Sequence, residues 1–482
     1  MKLPNPPSKV RLVSCSYGLV SMLTKLKISQ RFQNYWRSHF ADVGVGTSLM
    51  IVYTRILRSL LSYKTMVAIL ALFLLLLLAQ LKTGFSVCLK GFCGNSAVAQ
   101  QQVSSQILFI SPQGSGNGDG TSVKNAGRLT DLPSFITKVG PGGEVRLLGN
   151  VYNQSEQIRI SSGGVAGKPV TIRGTNASGE ETSMPTIMGD RSSPYQPPPE
   201  GNTGSSLFHL LPGASYLTFR NIHCLNQGNG CFVFAGTKGE VMIEKIKATN
   251  VQRFIEQRPK SAEANATWDV ANVIVRNAEI QGYSKGAIRF GKPEDNNQAD
   301  AHDILIEDVF GDSQRQDGDN FCMGIHLRGD VHHVNVRRTV MNNCQQTLTA
   351  EDYWNGDGFV AEKNVSHIRF EDTSASGNTD GGYDIKAQNS VLVRAKAADN
   401  KRNFRFWSKI NVQDCMSEEP YCRGGTGCQS QVYAGKEADV TLNQCTFKST
   451  NPSTYVFHSA DGGKITVKEG TVRHNGILFH HS

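Results

Sequence analysis

The cysteines of this chain lack the spacing that is typical of metal–thiolate sites. None of its 11 cysteines lies in a CxxC pair, and no cysteines and histidines have the spacing of a zinc site. Charged residues are also modest in number, at 19% of 482 residues, and aromatic residues make up only 8%. Glycine, in contrast, is frequent, with 48 residues. This composition favours a turn-rich β protein and argues against a disordered chain.

Acidic residues are almost absent from the leader, residues 1–99. It holds 12 Lys and Arg but a single acid, Asp42, whereas the remainder of the chain holds 38 basic and 40 acidic residues. The net charge of +9 therefore belongs to the leader and not to the folded body. A basic segment of this kind helps to set the orientation of a chain in a membrane. Because the basic excess is confined to the leader, we expect no nucleic-acid partner for the folded body.

An apolar run in the leader, Met66–Leu81, is 16 residues long, slightly short of the ~18–20 residues of a spanning helix. Arg55, Arg58 and Lys64 precede it, and Ala97 to Ala99 match the small-x-small pattern of a signal-peptidase site. The leader is either a cleaved export signal or an uncleaved anchor. Both alternatives place the body outside the cytoplasm, secreted, periplasmic or at the cell surface, with membrane contact only through residues 66–81.

A two-strand unit repeats from Leu217 to the C-terminus. A short alternating strand with two polar residues after it, as in LTFRNI, VIVRNA and ILIEDV, recurs every 19 to 34 residues, largely within the range of solenoid repeats. Every second side chain points inward, so each coil needs its neighbours to complete a core. The pattern predicts an all-β fold, a right-handed parallel β-helix over 217–482 with an N-terminal cap and first coils at 106–216. A β-sandwich is the minor alternative.

Eight cysteines lie beyond the leader, an even number that suits disulfides in an oxidising compartment. Cys415 and Cys445 occupy the same place in two repeats, INVQDC and VTLNQC, so they could bridge neighbouring coils. Cys422 and Cys428 would then close a loop. Stacked free thiols are the alternative for these residues.

Four consecutive coils can be aligned on their second strands, which read GIHLR, GFVAE, GYDIK and NFRFW. The third positions form a row of His326, Val360, Asp384 and Arg405. The fifth positions form a row of Arg328, Glu362, Lys386 and Trp407. Because strands of neighbouring coils lie ~4.8 Å apart, these rows predict a compact patch with both signs of charge and an exposed indole.

Acids gather at the turns that enter these strands. Asp357 lies in WNGDGF, and Asp380 and Asp384 lie in NTDGGYD about one coil later. Converging carboxylates repel one another unless a cation lies between them, and oxygen ligands on a loop rim suit Ca²⁺. The plainer explanation is that DG and NG pairs are ordinary turn formers whose charges are solvated.

A basic segment, DNKRNFRFWSK, follows the acids. Its cations could hold an anionic sugar chain, and Trp407 could stack on a pyranose ring. The alternative is a salt-bridge ladder between coils, in which Asp384 pairs with Arg405 and Glu362 pairs with Lys386. Such a ladder would need no ligand.

The repeat region resembles the pectate-lyase superfamily of right-handed β-helices, and residues 354–407 are most similar to family 9 polysaccharide lyases. Those enzymes carry a DDGxD calcium motif on one coil and another calcium-binding Asp on the coil before. NTDGGYD keeps the first and last acids as Asp380 and Asp384 but has Gly381 in the middle, and Asp357 matches the acid of the preceding coil. The resemblance thus implies a calcium site with one carboxylate missing.

The resemblance further implies β-elimination on a uronic-acid-containing polysaccharide, assisted by Ca²⁺. The basic residue of the family falls at Arg405 in RNFRF, which is the expected proton acceptor, with Lys386 or Lys409 as substitutes. Arginine stays protonated under nearly all conditions and is a poorer base than lysine. The expected substrate-binding residues are Arg402, Trp407, His326 and Arg328.

Other functions occur on this fold class. NTDG, Asn378–Gly381, is reminiscent of polygalacturonases, whose acid pairs activate water, but their GDD, GHG and RIK motifs are missing. The DPHD motif of alginate C5-epimerases is also absent. A non-catalytic surface protein that binds glycans is the remaining alternative, favoured by the missing acid at Gly381. The expected partner is an acidic polysaccharide, and the expected state is a monomer.

Overall fold

Short parallel strands make up most of the described chain. The computed structural model describes residues 106–258, 269–291, 300–316, 319, 321–346, 354–427 and 429–482. The proposed export or anchor segment, 66–81, lies outside these residues. Within the described ranges, no helix combines the length and apolar character needed to cross a membrane.

The regular elements include one α-helix, α1 (Leu132–Val139), in the described part of the chain. The strands are β1 (Ile107–Ile110), β2 (Glu144–Leu148), β3 (Val151–Asn153), β4 (Ile158–Ile160), β5 (Val170–Thr175), β6 (Thr186–Met188), β7 (Phe208–Leu210), β8 (Leu217–Leu225), β9 (Asn229–Phe234), β10 (Val241–Gln257), β11 (Val270–Phe290), β12 (Asp300–Asp312), β13 (Met323–Leu327), β14 (Asp330–Arg337), β15 (Val340–Asn342), β16 (Asp357–Ala361), β17 (Ser366–Glu371), β18 (Ser374–Ser376), β19 (Gly381–Ile385), β20 (Ser390–Val393), β21 (Lys396–Ala398), β22 (Arg402–Phe406), β23 (Lys409–Gln413), β24 (Met416–Glu418), β25 (Ser430–Ala434), β26 (Asp439–Ser449), β27 (Tyr455–Ser459), β28 (Lys464–His474) and β29 (Ile477–His481).

The strands pair in parallel, each with its equivalent one coil further on, and so form three faces. Face A contains β1, β2, β5, β14, β17, β20 and β23, and face B contains β3, β6, β15, β18, β21 and β24. Face C contains β4, β7, β9, β13, β16, β19, β22, β25, β27 and β29. The longer strands β8, β10, β11, β12, β26 and β28 turn corners and serve more than one face. The predicted parallel β-helix is therefore confirmed.

Two residues of each repeat, both polar at most positions, form the corner between faces A and B. The second of them has a left-handed backbone, with φ between 46° and 56°, at Asn221, Lys245, Asn277, Asp308, Arg338, Asp372, Arg394, Asp414 and Gln444. Asn and Asp tolerate this conformation better than most residues because their short side chains bond to the local backbone. The repeat pattern in the sequence therefore reflects one backbone bend that recurs from coil to coil.

Inward side chains stack from coil to coil behind face C. The rings of Phe359 and Tyr383 lie 4.9 Å apart, and those of Tyr383 and Phe404 lie 5.1 Å apart. Beside them, Asn378 donates through Nδ2 to Asn400 Oδ1 at 2.8 Å. These aligned layers hold the coils that carry the candidate site in register.

Helix α1 covers the first coils of the solenoid. Pro133 suits the first turn of the helix because no intrahelical partner is needed there, and Gly140 ends the helix with φ 64°. The apolar side of the helix packs into the core through Leu132, Phe135, Ile136 and Val139. An amphipathic helix of this kind shields the open end of the coil stack from water.

Two disulfides bridge the described coils. Cys415 and Cys445 are bonded, with Cα atoms 4.4 Å apart, which confirms the predicted pair. Cys322 and Cys344 form a second bond, with Cα atoms 5.5 Å apart. Cys428, the proposed partner of Cys422, lies outside the described residues. The two bonds agree with an extracytoplasmic location, where disulfides persist.

Candidate functional site

The outward side chains of face C form the two rows that were aligned from the sequence. Register pairs between consecutive strands run through His326, Val360, Asp384 and Arg405. Backbone hydrogen bonds between coils align the second row, Arg328, Glu362, Lys386 and Trp407. The rows therefore bring most of the predicted site residues together on strands β13, β16, β19 and β22.

Asp357, Asp380 and Asp384, here called the acidic cluster, meet where β16 and β19 begin. The amide of Asp380 donates to the Gly356 carbonyl at 2.9 Å, which holds the turn against the preceding coil. The three residues are 1%, 0% and 4% exposed. The acids thus lie beneath the surface of face C and are not solvated turn residues.

Positive groups already bind two of these acids. Asp380 accepts hydrogen bonds from Arg402 Nη1 at 3.2 Å and from Arg405 Nη1 at 2.7 Å. Asp384 accepts one from the Trp407 indole at 2.7 Å and lies 3.0 Å from Lys386 Nζ. The salt-bridge ladder considered as an alternative from the sequence is also present, because Arg405 Nε lies 3.8 Å from Asp384 and Lys386 Nζ lies 2.8 Å from Glu362.

The pKa of Asp357 is displaced by its surroundings. Burial, together with the charges of Asp380 and Asp384, raises the pKa of Asp357 well above its ordinary value. Its Oδ1 accepts a hydrogen bond from the Gly381 amide at 2.6 Å. Burial and the neighbouring acids thus favour the neutral form of Asp357, as in paired catalytic carboxyls.

The donor set does not fit the calcium site that the resemblance implies. Asp380 and Asp384 are already paired with Arg402, Arg405 and Lys386, and a Cβ on Gly381 would lie only 2.7 Å from Asp357 Oδ1. Among the residues that the structure describes, no three acidic, His or Cys side chains are grouped as metal ligands. Calcium stays a prediction, and no step of the proposed chemistry depends on it.

The second row extends the ion pairs of the acidic cluster toward β13. Lys386 Nζ lies 2.8 Å from Glu362, whose other oxygen is 3.7 Å from His326 Nε2. Although burial opposes it, contact with His326 and Lys386 lowers the pKa of Glu362 to about 2. Burial also lowers the pKa of His326 to about 4, although Glu362 acts in the opposite direction. His326 is therefore a neutral imidazole at pH 7.

The three expected proton acceptors have different surroundings. Arg405 is bound to Asp380, and its guanidinium lies 4.9 Å from the Trp407 ring centroid. Although burial opposes it, Asp384 and Glu362 raise the pKa of Lys386 above its ordinary value. Arg405 and Lys386 therefore act as fixed positive charges. Lys409 begins β23 on face A, where it is exposed and pairs in register with Asp439.

A loop over the β22 end of the site was not recognised from the sequence. Lys401 is 1% exposed and donates to the carbonyls of Gly424 at 2.9 Å and Thr426 at 2.5 Å. A Cβ on Gly424 would meet the Trp354 ring, and the Arg402 guanidinium lies beneath Gly427. Glycines at 424, 425 and 427 were the available signal, because a chain that passes so close to other side chains cannot carry its own.

Aromatic side chains extend the first row beyond the acids. Arg405 is followed in register by Tyr433, His458 and His480. The Trp407 and Tyr433 rings lie 5.4 Å apart, and Tyr433 and His458 lie 4.9 Å apart. The row thus passes from charged to aromatic residues along the helix axis. Flat apolar rings with polar edges are typical of sites that bind organic ligands such as sugars.

Comparison with known proteins gives a fold likeness. No protein-family model and no curated protein matches the chain. Similar solved structures include a GH136 lacto-N-biosidase from Eubacterium ramulus, with 12% identity over 76% of this chain and 68% of that one and a TM-score of 0.45. The periplasmic alginate epimerase AlgG has 10% identity over 69% and 76%, with a TM-score of 0.45. Pectate lyase Pel9A has 13% identity over 76% and 78%, with a TM-score of 0.33. At such low identity the parallel β-helix rests on the strand pairing itself.

Proposed function

We propose that face C binds an acidic polysaccharide along the helix axis and acts on its uronic acid units by β-elimination. The observation that carries this proposal is the pair of guanidiniums, Arg402 and Arg405, which converge on Asp380 beside Trp407. Arg402 Nε is buried and has no hydrogen-bond partner among the described residues. Guanidiniums arranged in this way favour a further carboxylate, which they bind through paired donors.

In β-elimination, a base removes the C5 proton beside the carboxylate and the C4–O bond breaks, which leaves a C4–C5 double bond and a departing oxygen that takes a proton from water. The guanidiniums would stabilise the negative charge that builds up on the carboxylate as the proton leaves. A base must have a free lone pair, which Arg405 and Lys386 lack. His326 has one but lies three coils, ~14 Å, from Arg405 in the first row, too far from a proton beside a carboxylate bound there. The carboxylate of Asp384, 3.8 Å from Arg405 Nε, is within reach and would take the proton.

A non-catalytic glycan-binding protein is the second candidate. Asp380 and Asp384 are buried and paired with cations, as in a structural ladder that orders neighbouring coils. In that case the aromatic row and the guanidiniums would bind a sugar chain without cleaving it. The two candidates predict the same ligand and differ only in product formation.

Absorbance of unsaturated uronides separates the candidates. The chain without its leader is incubated with pectate, alginate and glycosaminoglycans, with added Ca²⁺ and with a chelator. The matched control for Arg405→Ala is Arg394→Ala, because Arg394 also binds two carboxylates but lies at the corner of faces A and B. We expect product from the chain and from the control, and none from Arg405→Ala.

Equal product from the Arg405 variant would refute the assignment of this site. Binding without product on every polymer would instead favour the glycan-binding candidate. Loss of activity in Asp384→Asn with retained binding would support Asp384 as the base, whereas unchanged activity would exclude it.

A further inference from the structure

A second polar cluster lies on face C, where β10 and β11 end. The first outward row continues from His326 to Arg289 and then to Glu256. Glu256 is completely buried and is ion-paired with Arg289, and its other oxygen lies 3.5 Å from Arg253 Nε. Two guanidiniums on adjacent coils thus share one carboxylate.

Lys285 adds another cation to this place. It lies half-buried on β11, close enough to Arg253 and Arg289 for their charges to act on it. Arg253, Lys285 and Arg289, here called the basic cluster, therefore contain three cations beside the single carboxylate of Glu256. Like charges held together in a low dielectric are unfavourable unless an anion joins them.

The neighbouring carboxylate of Asp319 also acts on Arg253 and Lys285, but it brings a further cation with it. It accepts hydrogen bonds from Ser284 at 2.5 Å and from Gln252 at 2.9 Å, and it lies 3.8 Å from the buried guanidinium of Arg191. With Arg191 and Asp319 included, four cations stand beside two carboxylates. Among the described residues, the basic cluster keeps more positive than negative charge.

Burial makes this excess costly. Arg253 is 5% exposed, and burial lowers its pKa to about 9, with Arg289 contributing in the same direction. Burial and the adjacent guanidiniums also lower the pKa of Lys285. In addition, Arg289 Nε is buried without a hydrogen-bond partner among the described residues. Each of these features would be relieved by an anion bound between the three side chains.

We propose that the basic cluster is a subsite for one acidic group of a sugar chain, either a carboxylate or a sulfate ester. This proposal depends on the proposed function only for the identity of the sugar chain that carries the acidic group. Arg289 and Arg405 belong to the same row four coils apart, which corresponds to ~19 Å at ~4.8 Å per coil. A polymer along the axis would therefore contact the basic cluster and the acidic cluster together, whereas a single sugar could not.

Calorimetric binding of defined oligosaccharides tests this subsite. The probes are a galacturonate oligomer, its neutral methyl ester, and a sulfated oligomer without carboxylates. Lys285→Met removes the charge but keeps the length and leaves the pairs of Glu256 intact, and Lys285→Arg restores the charge. Lys396→Met is the control, because Lys396 is exposed on face B. Arg405→Ala reports on the other cluster.

We expect Lys285→Met to weaken binding of one acidic oligomer roughly tenfold, as for the loss of one charge-assisted contact, with wild-type affinity in Lys285→Arg and in the control. The methyl ester should bind equally weakly to all variants. Preference for the galacturonate or the sulfated oligomer identifies the acidic group.

Unchanged affinity in Lys285→Met while Arg405→Ala binds poorly would overturn the subsite but keep the proposed function. The reverse pattern would keep the subsite and remove the acidic cluster from the function, and no binding to any probe would overturn both.

Discussion

Replacement of Asp357 by Asn tests whether this buried carboxyl group is neutral in the folded protein. Asn has nearly the same shape and can still accept the hydrogen bond from the Gly381 amide. It cannot ionise, so it removes the repulsion from Asp380 and Asp384 that raises the pKa of Asp357. The exchange therefore isolates the electrostatic cost of the acid.

The sign of the effect follows from the direction of the pKa shift. Below about pH 4 both the folded and the unfolded wild type are protonated at Asp357, so the acid costs nothing. As the pH rises above the ordinary value of 3.8, the unfolded state releases the proton first, and the free energy of unfolding falls by up to about 1.4 kcal/mol per pH unit. This loss continues until the pH passes the raised pKa of the folded state. Asp357→Asn should not lose stability in this way.

Urea unfolding of the wild type and Asp357→Asn between pH 4 and pH 8 measures this difference. We expect the variant to gain stability over the wild type steadily as the pH rises from 4. Asp461→Asn is the control for an Asp-to-Asn exchange at an exposed position. A constant or shrinking advantage of Asp357→Asn would show that Asp357 is ionised in the folded state, and the account of the acidic cluster would be wrong.

Two further substitutions test the ionic contacts of Glu362 and the aromatic stack behind face C. Glu362, whose pKa is lowered to about 2, stabilises the fold above pH 4.5 and loses this effect as the pH falls toward 2. Glu362→Gln should therefore be less stable than the wild type at pH 6, by up to roughly 3 kcal/mol, and nearly equal to it at pH 2 in chemical unfolding. Tyr383→Ala removes the fully buried ring between Phe359 and Phe404 and should cost about 3–5 kcal/mol. Tyr421→Ala, at an exposed ring, should cost less than about 0.5 kcal/mol.

Much of the architecture could be predicted because a solenoid repeats one local rule. Each strand alternates inward and outward residues, and a polar pair such as Arg220 and Asn221 then makes the corner. Once the strands are aligned, parallel pairing determines which side chains are neighbours. The row of Asp384 and Arg405 follows from this register alone. Cys415 and Cys445 follow in the same way because they lie at equivalent positions of two repeats.

Contacts between side chains could not be read from the register. Arg402 points inward to Asp380 and beneath the loop at Gly427, a choice that depends on packing and not on strand position. The Cys322–Cys344 disulfide joins residues at different points of a coil, so no repeat position identifies it. The basic cluster was missed because Lys285 lies just before the aligned strand pattern and its partners become visible only when β10 and β11 are paired.

Calcium titration decides whether guanidiniums take the place of a metal in the acidic cluster. In the wild type, a cation would have to displace Arg402 and Arg405 from Asp380 and ionise Asp357 against its raised pKa. We therefore expect millimolar Ca²⁺ to leave the unfolding temperature no higher than Mg²⁺ does. Removal of one guanidinium in Arg405→Gln should leave the carboxylates underneutralised and create stabilisation by Ca²⁺, which grows with concentration as for any ligand that binds only the folded state. Arg394→Gln, which removes a guanidinium from two carboxylates elsewhere, should show no such gain. If the wild type itself is stabilised by Ca²⁺ and Arg405→Gln is not, the metal binds with the arginine in place, and the carboxylates of the acidic cluster are its ligands after all.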